Sequence, residues 1–192
     1  MTGRTGLVLA GAGARGAYEA GALSVLLPAL EAQGQRPTVL VGTSAGALNA
    51  TFLAHRADQP ADGATSELLD LWLRMSRKDV FSYSPLALAR IALLELGIGD
   101  RPHGAVDTGP LRRTVDGAIG DWGRIRDNVD NGHLDALAIV TTAASSGRTV
   151  VWVDGGEPRA AGSRQLPELD LKKGVEYRAA VGIDPTYVDG IY

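Results

Sequence analysis

The first part of the chain alternates short apolar runs with longer helical stretches. Gly6-Leu7-Val8-Leu9-Ala10 is apolar and ends in glycines, as a buried parallel strand does. Ala17 to Leu27 reads as a helix with Tyr18, Gly21, Ala22, Val25 and Leu26 on one side, and Pro28 is expected to kink or end it. Thr38-Val39-Leu40-Val41 predicts a second buried strand and Ala45 to His55 a second helix. A β-α-β-α order of this kind predicts an α/β fold around a central, mostly parallel sheet flanked by helices.

The rest of the chain extends that pattern. Arg56 to Thr65 is a polar connector holding Pro60 and Gly63. Helices are predicted over Ser66 to Met75, Leu86 to Leu96 and Pro110 to Ile119, the last with proline at a favourable first position. Leu134 to Thr142 and Arg148 to Val153, joined by Ser145-Ser146-Gly147, predict a β-hairpin. Glu157 to Lys173 is polar and reads as an exposed loop. The segment from Leu86 to Leu96 is apolar almost all round. That predicts a buried helix, or alternatively a lid or membrane-touching face. Trp72 and Phe81 belong either to a pocket beside that segment or to the core.

Composition narrows the function classes. The chain has 192 residues, no cysteine and a formal net charge of −3. Thiolate catalysis, disulfides and cysteine-based metal sites are excluded. A strongly basic nucleic-acid surface is not expected. No signal peptide or run long enough to span a membrane is legible, so a cytoplasmic location is expected, with peripheral contact at a membrane as its extension. Glycine is in excess, at 25 of 192 residues, and much of the chemistry lies where glycines cluster.

Two such clusters each follow a predicted strand and open a predicted helix. Gly42-Thr43-Ser44-Ala45-Gly46 is a G-x-S-x-G, the pattern of a nucleophile elbow whose serine sits on a strained strand-to-helix turn. The bland reading is a glycine-rich turn with a capping serine. Gly11-Ala12-Gly13-Ala14-Arg15-Gly16 is a G-x-G-x-x-G. Alone it fits a dinucleotide site in a Rossmann-type oxidoreductase. That fold wants an acidic residue at the end of the second strand. Here the strand ends in Gly42-Thr43-Ser44, and Glu31 has suitable spacing but lies before the strand. The same backbone N–H groups can instead stabilise an oxyanion. A glycine loop at one strand end beside a nucleophile at the next is what acyl transfer requires, so the oxyanion reading is preferred.

The blocks Leu7 to Tyr18 and Val41 to Ala50 together resemble the two N-terminal blocks of the patatin-like phospholipases, with Ala12 where that family usually carries the middle glycine of three. Weaker similarity continues through Asp107-Thr108-Gly109-Pro110-Leu111 and Leu134 to Val153. The resemblance implies a patatin-like three-layer domain over residues 1–192 with an incomplete C-terminal part. It implies a lipid acyl hydrolase of the phospholipase A type acting on lipid or acyl esters, with no cofactor and no metal. Ser44 would be the nucleophile, and the loop Gly11, Ala12, Gly13, Ala14, Arg15 and Gly16 would supply the oxyanion hole. Arg15 would hold that loop or an anionic head group, and Gly42, Thr43, Ala45 and Gly46 would shape the elbow.

In the family an aspartate, in a Y-x-D-G-[G/A] block, replaces histidine as base, since a buried carboxylate can activate a serine hydroxyl. His55, His103 and His133 are accordingly expected to be surface or capping residues. Tyr187-Val188-Asp189-Gly190-Ile191 matches that block except at Ile191, which makes Asp189 the expected base. Asp154 in Val153-Asp154-Gly155-Gly156 is a second candidate, and an aspartate absent from this chain a third. Asp189-Gly190-Ile191-Tyr192 also resembles the turn the family places just before its dyad block. A patatin-fold binding protein that lacks its base is therefore the rival reading.

Overall fold

The computed structural model describes residues 5–11, 13–76, 79, 109–143, 146–155, 175–180 and 183. The helix expected over 86–96, Phe81, Ala12, His103, Asp189 and the expected 157–173 loop lie outside the described residues. The chain divides into two compact units, residues 1–73 with 121–192, and residues 74–120.

The first unit carries a five-stranded sheet in the order β1 (Gly6–Leu9), β2 (Val39–Thr43), β3 (Ala136–Thr142), β4 (Thr149–Gly155), β5 (Val175–Ala179). β1, β2 and β3 are parallel neighbours, with Leu9 opposite Gly42 and Thr43 opposite Val140. β4 returns antiparallel to β3 as the expected hairpin, and β5 runs parallel to β4. This is the α/β architecture read from the alternating pattern, and its first two strands are adjacent and parallel.

Helices α1 (Gly16–Ala32), α2 (Ala45–His55), α3 (Ala61–Arg74) and α5 (Gly123–Asp130) flank the sheet in the same unit, while α4 (Gly109–Ile119) belongs to the second. α2 is the central helix. It contacts β1, β2, β3, α1 and α5, and all its residues except Leu48 are buried. A helix buried nearly all round is largely apolar, as Ala47, Ala50, Phe52, Leu53 and Ala54 make it, while Asn49, Thr51 and His55 are its buried polar residues.

Three expectations are corrected. α1 continues through Pro28 to Ala32. Its buried side is Gly16, Ala20, Leu23 and Leu27, whereas Tyr18 and Val25 are exposed. With apolar residues on both sides, periodicity alone does not choose the buried one. Packing of Leu23 and Leu27 outweighs the hydrogen bond that Pro28 cannot make. α3 begins at Ala61, inside the stretch read as a connector, because the Glu31 carboxylate accepts the Ala61 N–H at 2.9 Å and caps the new helix. α5 and β5 were not anticipated.

Candidate active site

β2 feeds directly into α2 through one residue, Ser44, at φ 51° and ψ −127°. It is the only described non-glycine residue with positive φ, a conformation that costs energy and persists only where packing enforces it. The enforcement comes from close approach of backbone. A Cβ at Gly42 would lie 2.4 Å from Gly46 O, and one at Gly46 would lie 2.3 Å from Leu9 O. Only glycine fits at either position, so the G-x-S-x-G spacing reflects packing of the elbow against itself and against the end of β1. Behind the serine, its carbonyl accepts the Ala47 N–H at 2.9 Å and starts α2.

The glycine-rich loop leaves β1 beside this turn. A Cβ at Gly11 would stand 3.2 Å from Ser44 Cβ. Beyond it, Gly13 to Arg15 form a short 3-10 turn into α1, and Ala14 and Arg15 are exposed. The structure thus brings Gly11, Gly42, Thr43, Ser44, Ala45 and Gly46 together at the carboxyl edge of β1 and β2. That edge is where open α/β sheets place ligands.

Glu31, whose spacing suits a dinucleotide ribose, is committed elsewhere. One carboxylate oxygen takes Arg36 Nη1 at 2.8 Å and the other caps α3.

Asp154 lies at the opposite edge. It pairs with Leu137 near the start of β3, while Thr43 pairs with Val140. Three rungs and two strand spacings put it about 14 Å from Thr43, with Ser44 one residue further on. Its carboxylate is wholly buried, accepts Arg126 Nη1 at 3.1 Å and accepts the Ile183 N–H at 3.2 Å. It closes the far end of the sheet and is not the base for this serine.

No described histidine reaches the elbow. His55 ends α2, about 16 Å along its axis from Ser44 at 1.5 Å per residue, and His133 precedes β3 at the far edge. His55 is buried. Burial, with Arg56 and Arg124 nearby, holds its imidazole below the ordinary histidine value, against an opposing pull from Asp121.

The motifs assign no role to Glu19 or Asn49, and Trp72, expected in a pocket or the core, joins them here. Asn49 Nδ2 donates to Gly16 O at 3.2 Å and to Glu19 Oε2 at 2.7 Å, and its Oδ1 accepts Trp72 Nε1–H at 2.7 Å. Glu19 Oε1 in turn accepts the Ala10 N–H at 3.2 Å. Trp72 packs over Gly16, where a Cβ would lie 2.6 Å from its ring.

A glycine loop packed on a strained serine turn agrees with the comparison of the whole chain, in which the family model for patatin-like phospholipase matches residues 7–160. The chain belongs to the patatin-like phospholipase family. That family is one of lipid acyl hydrolases, so lipid esters are its general substrate class. No curated protein and no solved structure matches the chain. No described helix of this patatin-like chain is long and apolar enough to cross a membrane.

Proposed function

We propose that this chain is a serine-dependent lipid acyl hydrolase, with Ser44 as nucleophile, the N–H groups of the Gly11–Gly16 loop as oxyanion donors and Asp189 as general base. The observation that carries the reading is the contact of Gly11 with Ser44 at a positive-φ turn. A nucleophile and a row of backbone donors then share one edge. The Ala10 N–H is already taken by Glu19, so this reading draws its oxyanion donors from the loop after it.

In this reading Ser44 Oγ attacks the ester carbonyl carbon while its proton passes to the Asp189 carboxylate. The carbonyl π electrons move onto oxygen, and the loop N–H groups and the positive end of α2 stabilise the charge. The intermediate collapses, the C–O bond breaks, and the alcohol leaves with the proton from Asp189. Water, deprotonated by the same carboxylate, then releases the fatty acid and restores Ser44. A lipid substrate would bring the chain into peripheral contact with a membrane surface.

The test is hydrolysis of a p-nitrophenyl ester and of phospholipid vesicles by the wild type and by Ser44→Ala. A loss of about 10³-fold or more, with unchanged circular dichroism, supports the reading. Equal rates in the two proteins, or a folded wild type with no activity, favour a binding protein that keeps the fold alone.

A further inference from the structure

Beyond Ser44 and the glycine loop, one polar network centred on the buried Asn49 joins the elements that must agree for the site to work. Asn49 lies five residues after Ser44 on α2 and is fully buried, at 0% exposure. A buried carboxamide is tolerated when its donors and acceptor are all met. Here both donor contacts and the acceptor are used, and the three partners fix which end of the amide faces which way. The amide nitrogen faces two oxygens at the start of α1, and the amide oxygen faces the indole N–H.

Glu19 extends this network to the loop. β1 pairs with β2 only as far as Leu9, so Ala10 is the first residue to leave the ladder. Its N–H goes to Glu19 Oε1, and the next residue is Gly11, packed on Ser44. A path therefore runs from Ser44 along one turn of α2 to Asn49, across to Glu19, and back through Ala10 to Gly11. Glycine-rich backbone has more freedom to lose than any other, yet oxyanion donors act well only when held in place beforehand. This closed path supplies the restraint at the point where the loop begins.

We propose that Glu19 and Asn49 are positioning residues that set the glycine loop in register with Ser44, with Trp72 fixing the orientation of the Asn49 amide. The proposal rests on the reading of Ser44 as nucleophile and the loop as oxyanion donor. Neither residue touches the substrate. Glu19 is suited to the role because an ionised carboxylate accepts at both oxygens, one for the loop and one for α2. Glutamine has the same shape but offers one acceptor and one donor group. It must turn its NH2 toward either the Ala10 N–H or Asn49 Nδ2, and one of the two links breaks.

The experiment compares the full 192-residue chain as wild type, Glu19→Gln, Trp72→Phe and Ser44→Ala on a soluble p-nitrophenyl ester. Glu19→Gln is expected to lower kcat about tenfold or more, with KM within about twofold and circular dichroism unchanged. Its rate of inactivation by a fluorophosphonate should fall in parallel, because phosphonylation of the serine uses the same donors. Trp72→Phe removes the indole N–H and shrinks the ring over Gly16, so it should shift kcat in the same direction. It also carries the test should Glu19→Gln fail to fold.

Wild-type kcat in either folded variant, with Ser44→Ala inactive, overturns the positioning role and leaves the serine reading standing. The same holds if any loss of rate is fully explained by a smaller folded fraction. An active Ser44→Ala, or an inactive wild type, overturns the serine reading and the positioning role with it.

Discussion

Gly11 rests against Ser44 so closely that a Cβ on the glycine would come within 3.2 Å of the serine Cβ. Two motifs more than thirty residues apart in the sequence are thereby parts of one site. Parallel pairing of β1 with β2 delivers them side by side, and the strained turn at Ser44 lifts its side chain out of the strand to meet the loop.

The elbow's glycines answer to space, and this is testable against a helical glycine that does not. Gly46→Ala places a methyl group against Leu9 O, a backbone atom of a paired strand. It should cost about 3 kcal/mol, at the upper end of ordinary overpacking. Gly21→Ala, inside α1 where a Cβ meets nothing within 4 Å, should add about 0.5–1 kcal/mol by restricting the unfolded chain and favouring helix. Urea unfolding of both variants checks the pair. Equal effects in the two would contradict the packing account.

Asp189 and Asp154 should separate by phenotype. Asp189→Asn is expected to lower kcat by about 10³-fold or more while the melting temperature stays near the wild type. Asp154→Asn removes the ion pair with Arg126 and the charge from the acceptor of the Ile183 N–H. It should cost about 1–3 kcal/mol of stability and leave kcat of the folded protein within about twofold. Thermal melts beside initial rates distinguish the two.

Stability should fall on mild acidification, and His55 should account for part of the fall. Its folded-state pKa is depressed by burial, Arg56 and Arg124, so the unfolded chain binds its proton more readily. Unfolding free energy therefore rises with pH across the interval between the depressed value and about 6.5, and declines as pH drops through that interval. The slope from one such group is at most about 1.4 kcal/mol per pH unit. Urea titrations from pH 7.5 to 5 should show a shallower decline in His55→Gln than in the wild type.

How much of this was legible beforehand follows from where each signal lies. The β-α-β-α order and the elbow were readable because apolar runs and glycine spacing are local. β5 was not, since Glu176, Tyr177 and Arg178 are all exposed on it and no apolar alternation survives. α5 leaves no legible pattern because, in Gly123–Asp130, only Ile125 and Asn128 are buried. The start of α3 depends on a carboxylate thirty residues upstream. The Glu19–Asn49–Trp72 network joins three helices through single side chains, and no periodicity announces such contacts.

The central claim is that Ser44 is an activated nucleophile. The most direct test treats the folded protein with a fluorophosphonate and maps the adduct by peptide mass spectrometry, with urea-unfolded protein as control. The account predicts one phosphonylated residue, Ser44, formed only in the folded chain and absent in Ser44→Ala. A folded protein that stays unmodified, or an adduct on a different serine, would contradict it.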